Sequence, residues 1–305
     1  MSTKILVAGA TGNLGKRIVR SLIARGATVV ALGRTGTADE KVQALKGLGA
    51  QVALVDMASV AEITDACAGA ACVVSSLQGL RDVIVDTQSV LLEASVAAGV
   101  PRFIPSDFST DFTRLPGGEN RNFDLRREFH GRLSVASISA TAIFNGAFAE
   151  ILTYNIPLFD FQKKVVGYWE NPDWRLDFTT MDDTASYTAA AALDSDTPSR
   201  LRIASFQVSP RELADFTRDV MKTPFELVCM GSLEDLRVHN KSERAAHPEG
   251  ESELYASWQQ SQYMQSMFST HHESLDNNRY PDVTWTSLRD VIVNNATNTR
   301  EGDER

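Results

Sequence analysis

The chain has 305 residues, of which 43% are hydrophobic and 23% are charged, as is ordinary for a soluble globular protein. Its net charge of -9 argues against general nucleic-acid binding, because clustered Lys and Arg hold a phosphate backbone. No segment approaches the roughly 18 apolar residues of a membrane span, and the N-terminal apolar run is too short for a signal peptide. We therefore expect a cytoplasmic protein with neither nucleic acid nor membrane as a partner.

The first half of the chain alternates short apolar runs with helical patterns. The runs predict strands at Lys4–Ala8, Thr28–Leu32, Gln51–Val55, Ala71–Ser75 and Arg102–Pro105. The segments between them predict helices at Gly15–Arg25, Lys41–Leu48, Val60–Cys67 and Asp86–Ala98. Continuously apolar strands that alternate with helices are typical of a parallel sheet covered on both faces. The sequence therefore predicts an α/β fold with a Rossmann-type doubly wound parallel sheet.

The second half is less regular and predicts a smaller C-terminal substrate-binding subdomain. Helices are predicted at Leu125–Ala136, Met181–Leu193, Pro210–Met221 and Glu253–Met267. Strands are predicted at Ala140–Phe144, Phe178–Thr180, Arg200–Ala204 and Phe225–Val228, with loops at Leu115–Asn122 and Asn240–Glu253. We expect a Rossmann domain over 1–150, a mainly substrate-binding part over 151–293 with segments that return to the Rossmann core, and a disordered tail over 294–305.

The cysteines and one histidine pair point to structural roles. Cys67 and Cys72 lie in an apolar stretch and are predicted to be small buried hydrophobic residues. His271 and His272 lie in a polar segment with no HExxH pattern and no cysteine nearby, which predicts a surface position. The sequence predicts no metal site.

A glycine-rich turn follows the first predicted strand and opens the first helix. Its glycines at Gly9, Gly12 and Gly15 permit a sharp turn, a close approach of the backbone to a pyrophosphate, and tight packing of the helix on the strand. The free N–H groups at the start of the helix favour negative charge. The predicted cofactor-binding residues of this turn are Gly9, Thr11, Gly12, Asn13, Leu14 and Gly15.

The end of the second predicted strand indicates which dinucleotide binds. An NAD-specific site usually has Asp or Glu there, whereas this chain has Arg34, which can hold a 2′-phosphate. Thr35 and Lys41 are placed to reach the same phosphate, so NADP(H) is the expected cofactor. By topology, the loops after the third and fourth strands border the adenine, the ribose and the pyrophosphate. Their predicted cofactor-binding residues are Asp56, Met57, Ser75, Ser76 and Leu77.

Several motifs together resemble the NmrA-like and isoflavone reductase-like group, atypical members of the short-chain dehydrogenase superfamily. They are GATGNLG, the basic GR after the second strand, Gln88, RFIPSDFSTD after the fifth strand, and Asn145-Gly146-Ala147-Phe148. The resemblance implies a Rossmann domain and a smaller substrate-binding part, with the nicotinamide in the cleft between them. It also implies cofactor contacts at Gln88, Ser106, Asp107, Phe108, Asn145 and Phe148. Plant members reduce phenylpropanoid compounds with NADPH, whereas other members bind the dinucleotide and regulate partner proteins.

The catalytic residues depart from the pattern that the resemblance implies. No tyrosine has a lysine four residues later, and the helix that carries the catalytic lysine in isoflavone reductase-like enzymes has Arg126 or Arg127 at that place. Arginine keeps its proton and cannot be a general base, but it can bind a substrate oxyanion or carboxylate or orient a water. Asp107 and His130 are substitutes for acid–base work, so the catalytic candidates are Arg126, Asp107 and His130. A packing role for His130 is the alternative.

Three functions fit these observations. The first is an NADPH-dependent reductase of a small aromatic or conjugated carbonyl-type substrate, the second an NADP(H)-sensing regulator without turnover, and the third a non-redox isomerase or cyclase. Four aromatic residues close together in the second half of the sequence form either a wall of a pocket for an aromatic substrate or the core of the smaller domain. They are Phe159, Phe161, Trp169 and Trp174. The sequence leaves open a homodimer.

Overall fold

A computed structural model describes residues 2–293 of the chain. It contains two compact units that are interleaved in sequence. The first unit comprises residues up to 108, 122–144 and 184–201, and the second comprises 109–121, 145–183 and the residues from 202 onward. The tail predicted over 294–305 lies outside the described residues.

The first unit is built on a six-stranded parallel sheet. Its strands are β1 (Lys4–Ala8), β2 (Thr28–Arg34), β3 (Gln51–Val55), β4 (Cys72–Ser75), β5 (Arg102–Ile104) and β6 (Ser139–Ala140). They lie in the order β3-β2-β1-β4-β5-β6, with β1 between β2 and β4. This is the doubly wound arrangement, in which all strands are parallel and the strand order reverses beside β1. The predicted Rossmann-type α/β fold is confirmed.

Helices accompany the strands of this sheet. They are α1 (Asn13–Ala24), α2 (Asp39–Gly47), α3 (Val60–Cys67), α4 (Gln88–Ala97) and α5 (Arg121–Leu133). Helix α1 buries Ile18, Val19 and Leu22 at helical spacing and ends before Gly26, whose φ of 81° suits a residue without a side chain. Before α4, a π-helical segment spans Asp82–Thr87, which the apolar pattern does not predict.

The second half of the chain forms short strands and four further helices. The strands are β7 (Ala142–Phe144), β8 (Ala147–Phe148), β9 (Phe159–Asp160), β10 (Val165–Tyr168), β11 (Leu176–Thr179), β12 (Arg200–Arg202), β13 (Phe206–Val208) and β14 (Glu226–Cys229). The helices are α6 (Met181–Leu193), α7 (Pro210–Met221), α8 (Leu233–Ala246) and α9 (Ser257–Ser269). Three-stranded sheets have the orders β14-β10-β9 and β13-β11-β8.

The aromatic group of the second unit belongs to its hydrophobic core. Phe159 and Trp169 expose 0% and 6% of their surface, and Phe161 and Trp174 pack against the same core as partly buried residues. Phe159 stacks on Phe225 with ring centroids 5.7 Å apart. Of the two alternatives that the sequence left open for these side chains, the structure shows the core.

Two predictions for the C-terminal part are wrong. The predicted loop Asn240–Glu253 begins inside α8, a helix that the apolar pattern did not predict. The start of α8 is marked instead by a capping box between Ser232 and Asp235. His272 is buried at 2% exposure instead of lying on the surface, and its backbone N–H donates to Asp177 at 2.8 Å. A neighbouring polar sequence does not reveal this, because the carboxylate comes from a strand far away in the chain.

The two apolar-segment cysteines behave as predicted. Cys67 and Cys72 are both 0% exposed and carry free thiols, and burial raises the pKa of Cys72 to about 12. Among residues 2–293, no helix combines the length and apolarity needed to cross a membrane.

Candidate functional site

The turn after β1 is packed so closely that it excludes side chains. Gly9 has a φ of 77°, and a Cβ there would lie 2.6 Å from the carbonyl oxygen of Ser76. A Cβ on Gly15 would lie 2.6 Å from the Ser76 hydroxyl and closer still to the carbonyl oxygen of Gly9. The glycines therefore bring the turn, the first turn of α1 and the end of β4 into direct contact.

The N-terminal end of α1 is suited to a bound anion. The Gly12 N–H donates to the Gly9 carbonyl at 2.9 Å, which closes the turn just before the helix begins. Within residues 2–293, no side chain caps this helix and no acidic residue stands in its first turn. The partial positive charge of the helix N-terminus is therefore left for a ligand. Thr11, Gly12 and Asn13 are exposed beside it.

Arg34 ends β2 with an exposed side chain. Its backbone carbonyl accepts the Thr37 hydroxyl at 2.7 Å, which fixes the turn that follows the strand. No carboxylate within the described residues forms an ion pair with the Arg34 guanidinium, so its charge is available to a phosphate. Thr35 and Lys41 follow it in the chain and are also exposed.

Several predicted cofactor-binding residues in the loops after β3 and β4 make contacts within the protein. One Asp56 carboxylate oxygen accepts the Ala58 N–H at 2.9 Å, and Met57 packs on the core of the first unit. The Ser76 hydroxyl donates to the Ala8 carbonyl at 2.8 Å. The Ser75 hydroxyl is buried and has no hydrogen-bond partner among residues 2–293, so it stands as a polar group that a ligand or water can satisfy.

Ser106, just after β5, is held by three hydrogen bonds. Its backbone N–H donates to the Gln88 side-chain oxygen at 3.0 Å, and its hydroxyl donates to the Leu77 carbonyl at 2.7 Å. Its carbonyl accepts Nε of Arg126 at 3.1 Å. Gln88 is 0% exposed and its amide nitrogen donates to the Ile84 carbonyl at 3.0 Å. The structure thus gives Gln88 a positioning role inside the protein.

Arg126 is fixed on α5 without a counter-charge. Besides Ser106, the Asn122 carbonyl accepts its Nη1 at 3.1 Å. The side chain is partly buried, and no carboxylate of the described residues pairs with it. Both of its partners are neutral carbonyls, so its positive charge is oriented but not compensated.

Asp107 and His130 form a close pair next to Arg126. Nε2 of His130 lies 2.6 Å from an Asp107 carboxylate oxygen, and the side chains are 28% and 1% exposed respectively. Burial lowers the pKa of His130, but the charge and hydrogen bond of Asp107 outweigh it, so the net shift is upward despite the opposing charges of Arg200 and Arg126. Asp107 is thus buried, and its carboxylate contacts the more exposed histidine ring.

The remaining predicted cofactor residues do not share one unit. Phe108 is buried in the first unit, at 7% exposure. Asn145 and Phe148 belong to the second unit, where the Asn145 carbonyl accepts the Thr179 hydroxyl at 2.6 Å. The sequence analysis did not predict Arg200, because no local motif marks it. Arg200 lies on β12, and its charge lowers the pKa of His130 on α5.

The sheet order and the glycine turn define a Rossmann-type α/β protein. A model of the NmrA-like family matches residues 1–228, and the chain belongs to that family. Pinoresinol reductase 2 of Arabidopsis thaliana is 34% identical over 209 residues, which cover 63% of this chain and 65% of that protein. A bifunctional pinoresinol-lariciresinol reductase of Linum usitatissimum is 32% identical over 209 residues, with 64% and 66% covered. The matched region spans just under two thirds of these relatives.

Solved structures agree with this fold over nearly the whole chain. The structure of AtPrR2 with NADP+ and (+)pinoresinol has a TM-score of 0.77 and 26% identity, and covers 96% of this chain and 98% of that one. An isoflavone reductase structure has a TM-score of 0.78 at 18% identity, with 96% and 99% covered, and shows the shared fold.

Replacing Gly15 by alanine will destabilise the first unit. The new methyl group would press on the Gly9 carbonyl and the Ser76 hydroxyl, and overpacking of this kind costs about 1–3 kcal/mol. Gly47→Ala is the matched control, because its Cβ would meet nothing within 4 Å and Gly47 lies in α2. Denaturant unfolding should show a loss for Gly15→Ala and no loss for Gly47→Ala; equal stabilities would contradict the packing argument.

The Asp107–His130 pair will make stability depend on pH. Because the folded pKa of His130 is raised, its contribution is fully present below its unfolded pKa of about 6.5 and is lost as pH rises through the folded value. A charge-assisted hydrogen bond is worth about 1.5–3 kcal/mol. The free energy of unfolding of the wild type should exceed that of His130→Gln at pH 5.5, and this difference should decrease by roughly this amount by pH 9. A difference that stays constant, or the same trend in the exposed-site control His239→Gln, would contradict it.

Proposed function

We propose that this protein is an NADPH-dependent reductase of a small aromatic or conjugated carbonyl-type substrate. The observation that carries the proposal is the turn at Gly9–Gly15, where Gly9 and Gly15 leave no room for a side chain, together with the exposed Arg34 at the end of β2, which no carboxylate of residues 2–293 pairs with. The first feature suits a pyrophosphate and the second a 2′-phosphate. Membership of the NmrA-like family and the likeness to pinoresinol reductases support the same reading.

The residues present fit NADP(H). The turn and the free end of α1 would hold the pyrophosphate, and Arg34, with Thr35 and Lys41, would hold the 2′-phosphate. The loops after β3 and β4 would border the adenosine, with the unsatisfied Ser75 hydroxyl among them. Gln88 would act indirectly, through the Ser106 loop that it fixes. When bound, NADPH supplies the hydride.

The chain's own residues supply orientation, charge and a proton. Arg126 keeps its proton at any working pH, so it binds negative charge on the substrate and does not act as an acid. His130 ordinarily titrates near neutrality, and Asp107 holds its ring from the buried side. We assign proton delivery to the substrate oxygen to His130, with Asp107 as its positioning residue.

In this proposal, different parts of the chain bind the cofactor and the substrate. Residues 1–150 would provide the cofactor domain, and segments of 151–293 would recognise the substrate, with Asn145 and Phe148 contributing to the nicotinamide environment. The partner is a small molecule, and the protein works in the cytoplasm.

The cofactor assignment is tested by titrating NADPH and NADH into wild type and Arg34→Ala. Loss of a charge-assisted phosphate contact of about 1.5–3 kcal/mol predicts roughly 10- to 100-fold weaker NADPH binding in the variant, with NADH binding unchanged. Arg20→Ala, which removes an exposed charge from α1, should leave both affinities as they are.

Other results would favour other functions. If no nucleotide binds to wild type, the glycine turn is only structural and the proposal fails. If NADPH and NADP+ bind equally well and no trial substrate, beginning with (+)pinoresinol, oxidises NADPH, an NADP(H)-sensing regulator replaces the reductase.

His130 predicts the pH profile of turnover. Since the protonated ring donates the proton and its pKa is raised, kcat should fall as pH rises through that pKa. His130→Gln should lower kcat by about 10²–10⁴-fold and flatten this limb, with NADPH affinity kept. A variant that retains the wild-type limb would show that another group donates the proton.

A further inference from the structure

The charges around Arg126 are unbalanced. Neighbouring cations on α5 have acidic partners: Arg127 pairs with Asp124 at 2.7 Å, and His130 pairs with Asp107 at 2.6 Å. Arg126 directly precedes Arg127 on the same helix and has no such partner among the described residues. A partly buried charge is stabilised only when an opposite charge or a good set of hydrogen bonds compensates it.

We infer that the substrate is an aromatic or conjugated carboxylate, and that Arg126 binds its carboxylate group. This inference rests on the proposed reductase function and narrows its substrate class. It gives Arg126 the counter-ion that no carboxylate of residues 2–293 provides.

The guanidinium is already aligned for such a ligand. Of its five N–H groups, Nε donates one to the Ser106 carbonyl and Nη1 donates one to the Asn122 carbonyl. The other N–H groups, on Nη1 and Nη2, can form the paired hydrogen bonds that suit a carboxylate. Because Ser106 is itself fixed by Gln88 and Leu77, the orientation of Arg126 is set before any ligand arrives.

The surroundings reinforce a preference for an anion. The charges of Arg200 and Arg126 both lower the pKa of His130, so two arginines act on the same histidine, which adds a positive charge of its own when it is protonated. The nearby carboxylate, Asp107, is occupied by His130 and only 1% exposed. A neutral carbonyl substrate would leave this positive field uncompensated, whereas a carboxylate would neutralise part of it.

The position also suits a substrate group. Ser106 follows β5, so Arg126 is anchored at the carboxyl end of a strand of the parallel sheet, where open α/β sheets bind their ligands. A lysine at this place could hand over a proton, but arginine cannot. The residue that stands here therefore serves recognition, while proton transfer falls to His130.

The experiment compares acids with their own methyl esters. Benzoate, trans-cinnamate and 4-hydroxycinnamate, and the three methyl esters, are titrated by calorimetry into the NADP+-saturated protein. Wild type should bind at least one acid roughly 10- to 100-fold more tightly than its ester, the range of a charge-assisted hydrogen-bond pair. Arg126→Gln should remove that preference, and Arg126→Lys should retain part of it.

Controls separate this inference from the function on which it rests. Arg127→Gln removes a neighbouring charge that is already paired with Asp124, and it should keep the wild-type preference. NADP+ affinity and the unfolding midpoint of Arg126→Gln report whether the variant is folded and loaded.

Each outcome decides one claim. If NADP+ binds but no acid is preferred over its ester, or if the preference survives in Arg126→Gln, the carboxylate inference is overturned and the reductase proposal stands. If wild type binds no nucleotide, both fall.

Discussion

The carbonyl oxygen of Gly9 lies where three parts of the first unit converge: the turn after β1, the start of α1 and the end of β4. A Cβ on Gly9 or Gly15 would collide with Ser76 or with this carbonyl, so the approach is possible only without side chains. Such close packing orients the end of α1 over the carboxyl ends of the central strands. The anion-binding character of the turn is therefore a consequence of backbone packing and not of a charged side chain.

A second fixed point lies at Ser106, which orients Arg126 in the proposed site. Gln88 holds its backbone N–H, Leu77 its hydroxyl and Arg126 its carbonyl, so the loop after β5 is tied to three separate elements. The π-helical turn before α4 places the Ile84 carbonyl where the Gln88 amide can reach it. Short π-helical segments occur often at functional sites.

The chain belongs to the NmrA-like family, yet the catalytic residues that we propose differ in chemistry from the pattern that the family resemblance implies. The resemblance implies a lysine where Arg126 or Arg127 stands, and His130, one helical turn after Arg126, is paired with the buried Asp107. These changes are complementary. A permanent cation is a better anchor and a worse acid than lysine, and for this reason we propose His130, which changes its charge near neutral pH, as the proton donor.

The sequence by itself determined the Rossmann fold, the strands β1 and β3 with their bounds, helices such as Met181–Leu193, and the side-chain-free glycine turn on which the proposed cofactor site rests. These follow from local causes: continuous apolar runs, helical spacing, and glycines at the turn that only they can form. It also named Arg126, Asp107 and His130, but as separate candidates. Only the tertiary structure paired Asp107 with His130, left Arg126 without a carboxylate partner among residues 2–293, gave Gln88 an internal role and buried His272 beside Asp177. Those outcomes depend on contacts between residues distant in sequence, such as Asp177 and His272, for which a single chain contains no periodic or local signal.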